Sequence, residues 1–115
     1  MLNIQELTEK IIQFRDERDW SQFHTPKNLA ISLSLEASEV LEHFQWKTDE
    51  EIKEYLKTHR EHIADELGDV LNYLLLLANR AEIDILEAAE KKLEKNKIKY
   101  PVEKAKGSAK KYNEL

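Results

Sequence analysis

The sequence contains no cysteine, only two glycines and two prolines, and no long apolar run. Without cysteine the chain has no disulfide, no thiol nucleophile and no cysteine-ligated zinc site. The scarcity of glycine and proline leaves little material for the tight turns of a β protein. The longest apolar run, residues 74–78, is far too short to cross a bilayer. These absences favour a helical protein that does not span a membrane.

The chain also lacks a basic face before residue 91, and its formal net charge is −5. A duplex DNA-binding protein usually shows such a face, so the composition argues against that class. Lysines do cluster from Lys91 to Lys111. This cluster suits either a small phosphate-bearing molecule or a solvated helix end.

The first ten residues do not resemble a signal peptide, so we expect a cytoplasmic protein.

What the sequence does contain is charge, at 36% of its 115 residues, together with 41% hydrophobic residues in periodic positions. This combination predicts amphipathic helices rather than disorder. The length suits a single domain. We expect an all-α domain over residues 1–100, followed by an extended C-terminal tail over residues 101–115, because Pro101 stops the last helix.

Helix start signals divide the chain into four main helices and one short helix. Asn3, Thr25, Thr48, Thr58 and Asp84 are the predicted N-cap residues, and most have a glutamate three residues later, as in a capping box. The predicted helices cover residues 4–18, 26–46, 49–57 (the short helix), 59–80 and 84–97. Four helices with short connections predict a four-helix bundle.

Two pairs of acidic residues lie beside apolar helix faces. Glu36 and Glu39 are three residues apart in the second helix, and Glu66 and Asp69 are three residues apart in the third. Each pair therefore shares one face, between apolar positions. Carboxylates that meet in a bundle core must protonate, pair with cations or bind metal. An oxygen-only ligand set favours Mg²⁺, Mn²⁺ or Ca²⁺, while a polar helix edge is the alternative.

The combination of Glu36-x-x-Glu39 and Glu66-x-x-Asp69 resembles the metal motif of the MazG-like all-α NTP pyrophosphatases. The segments ERDWSQFHTPKNL, FQWK, ELGDVLNYL and KYPV followed by KGSAKKY are similar to the dCTP pyrophosphatase branch of that family. The similarity runs from about residue 14 to residue 113, with several motifs in the same order and spacing.

This resemblance implies an enzyme that hydrolyses a dNTP to its monophosphate and pyrophosphate, clearing non-canonical or excess nucleotides. It implies that Glu36, Glu39, Glu66 and Asp69 are catalytic ligands of Mg²⁺, for which Mn²⁺ could substitute. It also implies a bundle completed by dimerisation, with a homotetramer built from two dimers. One of Glu36 and Glu39 would position the attacking water. The implied partners are a dNTP and other copies of the chain, without nucleic acid or membrane.

Further residues match the substrate-binding positions of that branch: Trp20, Trp46 and Tyr73 at the nucleotide pocket, and Lys92, Asn96, Lys97 and Tyr100 at the phosphates. Aromatic faces stack on bases. The alternatives are that Trp46 closes the second helix against the core and that the lysines belong to a solvated helix end. Lys97 replaces an expected arginine, so a bidentate contact would become a point charge.

Ile11 stands where the branch carries a histidine on the base side of the pocket. An aliphatic side chain there loses a polar contact, which leaves the base preference open among dCTP, dATP and modified dNTPs. His43 and His62 lie one turn from the carboxylates and could assist them, although a solvated or structurally satisfied histidine is the simpler interpretation.

Two other functions compete with hydrolysis. A carboxylate-bridged di-iron bundle would need Glu-x-x-His motifs, whereas here each second partner is acidic. A non-enzymatic helical interaction module would explain the helices but not four carboxylates flanked by aromatic residues.

Overall fold

The computed structural model describes residues 1–115 and contains helices but no strand. The all-α prediction is confirmed. The helices are α1 (Ile4–Glu17), α2 (Pro26–Glu42), α3 (Asp49–Thr58), α4 (Arg60–Arg80), α5 (Ile85–Lys99) and α6 (Val102–Ala105), with short 3₁₀ segments at Ser21–Phe23 and Tyr112–Glu114. The chain divides into two compact units, residues 1–82 and 83–115. The domain bounds expected from the sequence, 1–100 and 101–115, stay a prediction.

Four of the five predicted N-caps are present. The side chains of Asn3, Thr25, Thr48 and Asp84 each accept a hydrogen bond from the backbone N–H three residues later. Thr48 forms a complete capping box, because the Glu51 side chain also accepts from the Thr48 backbone N–H. These caps satisfy amide groups that the first helical turn leaves without partners.

Two predicted helix boundaries are wrong. Thr58 does not cap α4, because α3 continues through Thr58 and places its hydroxyl near the Glu54 and Tyr55 carbonyls. His59 occupies the N-cap position without a side-chain bond. The second helix ends at Glu42 rather than at Trp46, in turns where the Phe44 N–H donates to the Leu41 carbonyl.

In the unit of residues 1–82, α4 is the central helix. It packs against α1, α2 and α3, and its most extensive contact is with α2. The buried hydrophobic residues are Leu29 on α2 and four residues of α4. Those four are Ile63, Leu75, Leu76 and Ala78. Three of the four lie in the apolar second half of α4.

The unit of residues 83–115 consists of α5 and the segment that follows it. This segment, expected to be extended, contains the one-turn helix α6. Tyr112 lies with its ring 6.3 Å from the ring of Tyr100, and the Lys99 ammonium is 4.9 Å from the centre of the Tyr112 ring. Aromatic and cation–π contacts therefore hold the C-terminal residues near the end of α5.

None of the helices combines the length and the apolar character that a membrane crossing requires.

Candidate active site: a carboxylate cluster beside an aromatic pocket

The two acidic pairs come from the two helices that make the most extensive contact in the molecule. Glu36 and Glu39 lie on α2, and Glu66 and Asp69 lie on α4. The two residues of each pair share one helix face, because they are three positions apart. The packing of α2 on α4 therefore brings together acids that are about 30 residues apart in the chain.

Glu36 is the carboxylate of this set on which the other three act. It is half-buried, and its Oε2 atom is buried without a hydrogen-bond partner. Burial raises the pKa of Glu36 above its ordinary value, and hydrogen bonding with Glu39 and the charges of Glu39, Asp69 and Glu66 raise it further. Since all three other acids act on Glu36, the structure places the predicted set in one electrostatic cluster.

The other three carboxylates differ in their surroundings. Glu39 and Asp69 are exposed, whereas Glu66 is half-buried and lies against the Nε2 atom of His43. No three His, Asp or Glu side chains come together in the geometry of a metal site. The cluster is therefore a convergence of negative charge rather than a set of ligands already in position.

The donor set nevertheless fits a hard divalent cation. All four side chains offer only carboxylate oxygens, which Mg²⁺ and Mn²⁺ prefer. The buried Oε2 of Glu36 has no other partner, and no lysine or arginine forms an ion pair with any of the four acids. A cation would relieve both the repulsion and the desolvation that raise the pKa of Glu36.

A pocket of about 320 Å³ lies beside the cluster. Its lining consists of Lys10, Ile11, Phe14, Arg15, Trp20, His24, Asp69, Asn72, Tyr73 and Leu76. Apolar and aromatic surfaces with a few polar groups are typical of small-molecule sites. Asp69 belongs to both the pocket and the carboxylate cluster, so a ligand in the pocket would reach the acids.

The loop after α1 gives the pocket one of its aromatic walls. Asp19 has a φ of 54°, a left-handed conformation that aspartate tolerates, and the chain turns there toward Trp20. The Trp20 ring packs edge-on against Phe14 with 5.6 Å between ring centroids. Trp20 and Tyr73, both predicted from the sequence to bind nucleotide, thus lie in one pocket.

Trp46, by contrast, does not line this pocket within a single chain. It is 86% exposed and follows the C-terminal end of α2, whereas Trp20 and His24 precede the N-terminal end. The 17 residues of α2 separate those ends by about 25 Å. Its predicted place in the nucleotide pocket stays a prediction, because a single chain does not bring it beside Trp20 and Tyr73. At this exposure it does not close α2 against the core.

The residues predicted to bind phosphate all lie in the other compact unit, on or directly after α5. Lys92 and Lys97 are exposed, and the Lys97 ammonium lies 2.9 Å from Glu94 Oε1. Asn96 is half-buried, and Tyr100 packs against Tyr112. Their phosphate contacts stay a prediction.

Sequence reasoning missed several polar residues of the pocket, above all His24 and Asn72. The His24 Nδ1 atom is buried without a partner, and burial lowers the pKa of His24, helped by the charges of Arg15 and Arg80. Asn72 is a lone amide in the apolar half of α4. A polar side chain within an apolar run could have identified Asn72 from the sequence. No such sequence pattern marks His24, because the loop that contains it has no periodicity.

Comparisons with known proteins establish the family of this chain. A sequence model of the MazG-like family matches residues 31–115, which is more than half of the chain. The chain belongs to the MazG-like family. This MazG-like chain is 45% identical to dCTP pyrophosphatase 1 of Bos taurus and to that of Homo sapiens, in each case over 105 residues.

Those matches cover 90% of the MazG-like chain but only 62% of either relative's own length. Among solved structures, the chain is similar to a pyrophosphatase from Archaeoglobus fulgidus, with 45% identity and a TM-score of 0.83. That similarity covers 88% of this chain and 94% of the other.

Proposed function

We propose that this chain is a divalent-metal-dependent nucleoside triphosphate pyrophosphatase that converts dCTP or a related dNTP to its monophosphate and pyrophosphate. The observation that carries the proposal is the meeting of the aromatic pocket and the carboxylate cluster at Asp69. A base in the pocket would leave the triphosphate beside the acids. The names of the curated relatives and of the similar solved structure support the same reaction.

In this proposal Glu36, Glu39, Glu66 and Asp69 hold Mg²⁺, with Mn²⁺ as a substitute. When bound, the cation neutralises charge on the phosphoryl oxygens and orients the triphosphate. Water adds across the α–β phosphoanhydride bond, and pyrophosphate leaves. Glu36 or Glu39 positions that water by accepting a hydrogen bond from it, since a carboxylate can only accept.

The pocket residues bind and orient the nucleoside. Trp20 and Tyr73 offer aromatic faces on which a base can stack. Ile11 and Asn72 also line the pocket. The Ile11 side chain offers no hydrogen bond, whereas the Asn72 amide can donate and accept. The polar groups that select the base therefore differ from those implied by the family resemblance, which include a histidine at the position of Ile11.

A panel of the four common dNTPs and modified dNTPs, each with Mg²⁺, tests the proposal through the products. We expect a monophosphate and pyrophosphate, separated by ion-exchange chromatography and identified by ³¹P NMR. Orthophosphate and a diphosphate would contradict cleavage of the α–β bond. The absence of product from every nucleotide would contradict the enzyme and favour a binding module.

The variant Glu39→Gln connects that activity to the carboxylate cluster. We expect kcat/KM to fall at least 100-fold, which corresponds to about 2.7 kcal/mol of transition-state stabilisation at 1.36 kcal/mol per decade. Glu42→Gln is the matched control, because it makes the same change at an exposed position of the same helix. Normal turnover by Glu39→Gln would contradict the proposed site.

A further inference from the structure

His43 forms a bridge between one carboxylate of the cluster and a helix that does not contribute to the cluster. Its Nε2 atom lies against Oε2 of Glu66 on α4. Its Nδ1 atom lies 2.5 Å from the hydroxyl oxygen of Tyr55 on α3. The His43 side chain is only 13% exposed. The imidazole therefore connects the end of α2 with both α3 and α4.

The tyrosine at the far end of this bridge is itself held in place. The His59 ring stacks on the Tyr55 ring, with 4.1 Å between centroids and 8° between planes. The Lys47 ammonium lies 4.1 Å from the centre of the Tyr55 ring and also donates to the His43 carbonyl at 2.7 Å. These contacts limit the rotation of the Tyr55 ring and so fix its hydroxyl.

The chemistry of the three groups gives the hydrogen bonds one direction. A carboxylate has no proton to share, so the proton at the contact between His43 and Glu66 lies on Nε2 of His43. With one proton on the ring, Nδ1 is an acceptor, and the Tyr55 hydroxyl donates to it. Apart from their contact with each other, Nε2 of His43 and Oε2 of Glu66 have no polar partner. The bridge thus occupies Oε2 and leaves Oε1 of Glu66 for another ligand.

We propose that His43, held by Tyr55, is a positioning residue that orients Glu66 for cation binding. This inference rests on the proposed function, because it assumes that Glu66 is a metal ligand. It also gives α3 a role, since this helix supplies Tyr55 but none of the four carboxylates of the cluster. Removing a group that hydrogen-bonds to a metal ligand typically costs 10–100-fold in metal affinity or activity.

The role of His43 is tested by measuring the dissociation constant of Mn²⁺ without nucleotide, with electron paramagnetic resonance as the detection method. We expect His43→Leu to raise the Mn²⁺ dissociation constant about 10-fold or more, because leucine keeps much of the volume but removes both ring nitrogens. His43→Gln should restore most of the affinity, since its amide can donate to Glu66. Tyr55→Phe removes only the hydroxyl and should weaken binding a few-fold. Lys57→Leu, at an exposed position of α3, is the control and should bind as wild type does.

The same variants separate positioning from loss of structure. We expect the Mg²⁺ concentration for half-maximal activity to rise in His43→Leu, while kcat at saturating Mg²⁺ stays within a few-fold of wild type. Thermal unfolding checks that each variant folds. If His43→Leu does not fold, Tyr55→Phe decides, and wild-type Mn²⁺ affinity in that variant overturns the inference.

Glu66→Gln distinguishes a failure of this inference from a failure of the proposed function. If Glu66→Gln loses Mn²⁺ affinity while His43→Leu keeps it, the positioning role is overturned and the metal site stands. If Glu66→Gln binds Mn²⁺ as wild type does, both the metal site and the positioning role are overturned.

Discussion

At the scale of single residues, Glu36 carries an energetic cost that its neighbours impose. Its Oε2 atom is buried without a partner, and the charges of Glu39, Asp69 and Glu66 act on it. Such a residue destabilises the folded chain unless a cation or a proton neutralises it. Functional sites often retain groups of this kind at the expense of stability.

The variant Glu36→Gln should therefore be more stable than wild type in the absence of divalent cations. Glutamine keeps the volume of glutamate, removes the repelling charge and offers an amide donor to the neighbouring acids. We expect a rise in Tm of roughly 2–5 °C, the size that a gain of less than about 1 kcal/mol produces in a domain of this length.

Thermal unfolding in EDTA and in Mg²⁺ measures both parts of this prediction. Mg²⁺ should stabilise the wild type but have little effect on Glu36→Gln, because a ligand stabilises only a state that binds it. Glu42→Gln serves again as the control for loss of one carboxylate from α2. A Tm for Glu36→Gln below that of wild type in EDTA would show that the Glu36 carboxylate does not destabilise the fold.

At the scale of secondary-structure elements, Arg80 joins the last turn of α4 to the 3₁₀ segment before α2. Its Nε atom donates to the His24 carbonyl at 3.0 Å, and its Nη2 atom donates to the backbone and hydroxyl oxygens of Ser21 at 2.8 and 2.9 Å. Charged hydrogen bonds of this kind are stronger than neutral ones. They hold the segment whose ends carry two pocket residues, Trp20 and His24.

The variant Arg80→Ala should loosen the pocket wall and leave the carboxylates in place. We expect KM for the preferred dNTP to rise about 10-fold with little change in kcat, because binding is lost equally from substrate and transition state. The free energy of unfolding in urea should fall by about 1–3 kcal/mol.

Ser21→Ala is the graded control, since it removes one of the three acceptors and keeps both carbonyls. Its KM should lie between those of wild type and Arg80→Ala. An unchanged KM in Arg80→Ala, with reduced stability, would mean that the arginine supports the fold but not the pocket.

At the scale of the whole molecule, the single chain leaves much apolar surface uncovered. Only five hydrophobic residues are buried, while Ile31 and Leu35 on α2 and Leu67 and Leu71 on α4 are exposed. In each helix the two residues are four positions apart, so they form a stripe on one face. Exposed apolar stripes of this kind are typical of surfaces that pair with another protein chain.

We therefore predict a homodimer, or a tetramer of two dimers, through the α2 and α4 stripes. Light scattering after gel filtration should give twice or four times the chain mass of 13.6 kDa. Leu35→Lys should lower that mass, because a charged side chain in an apolar interface is costly. Leu2→Lys, an equivalent change at the exposed N-terminus, should not. A wild-type mass of 13.6 kDa would exclude the assembly.

Much of the fold was accessible from the sequence because its signals are local. The N-caps at Asn3, Thr25, Thr48 and Asp84 act within four residues and mark where four helices begin. The periodic apolar positions show that helices follow but overestimate the length of α2. Thr58 failed as a cap because its conformation depends on where α3 ends. Each half of the motif, Glu36-x-x-Glu39 and Glu66-x-x-Asp69, lies within one helical turn, and the resemblance to the MazG-like family connected the two halves.

The sequence by itself determined the helices and the acidic pairs, since both depend on spacing along one helix. Only the tertiary structure decided which side chains share a space. Loop geometry and helix packing placed His24 beside the pocket, left Trp46 outside it and joined His43 to Tyr55 and Glu66. These contacts join residues on different helices and loops, and the free energy that selects them comes from burial of the whole chain rather than from local propensity.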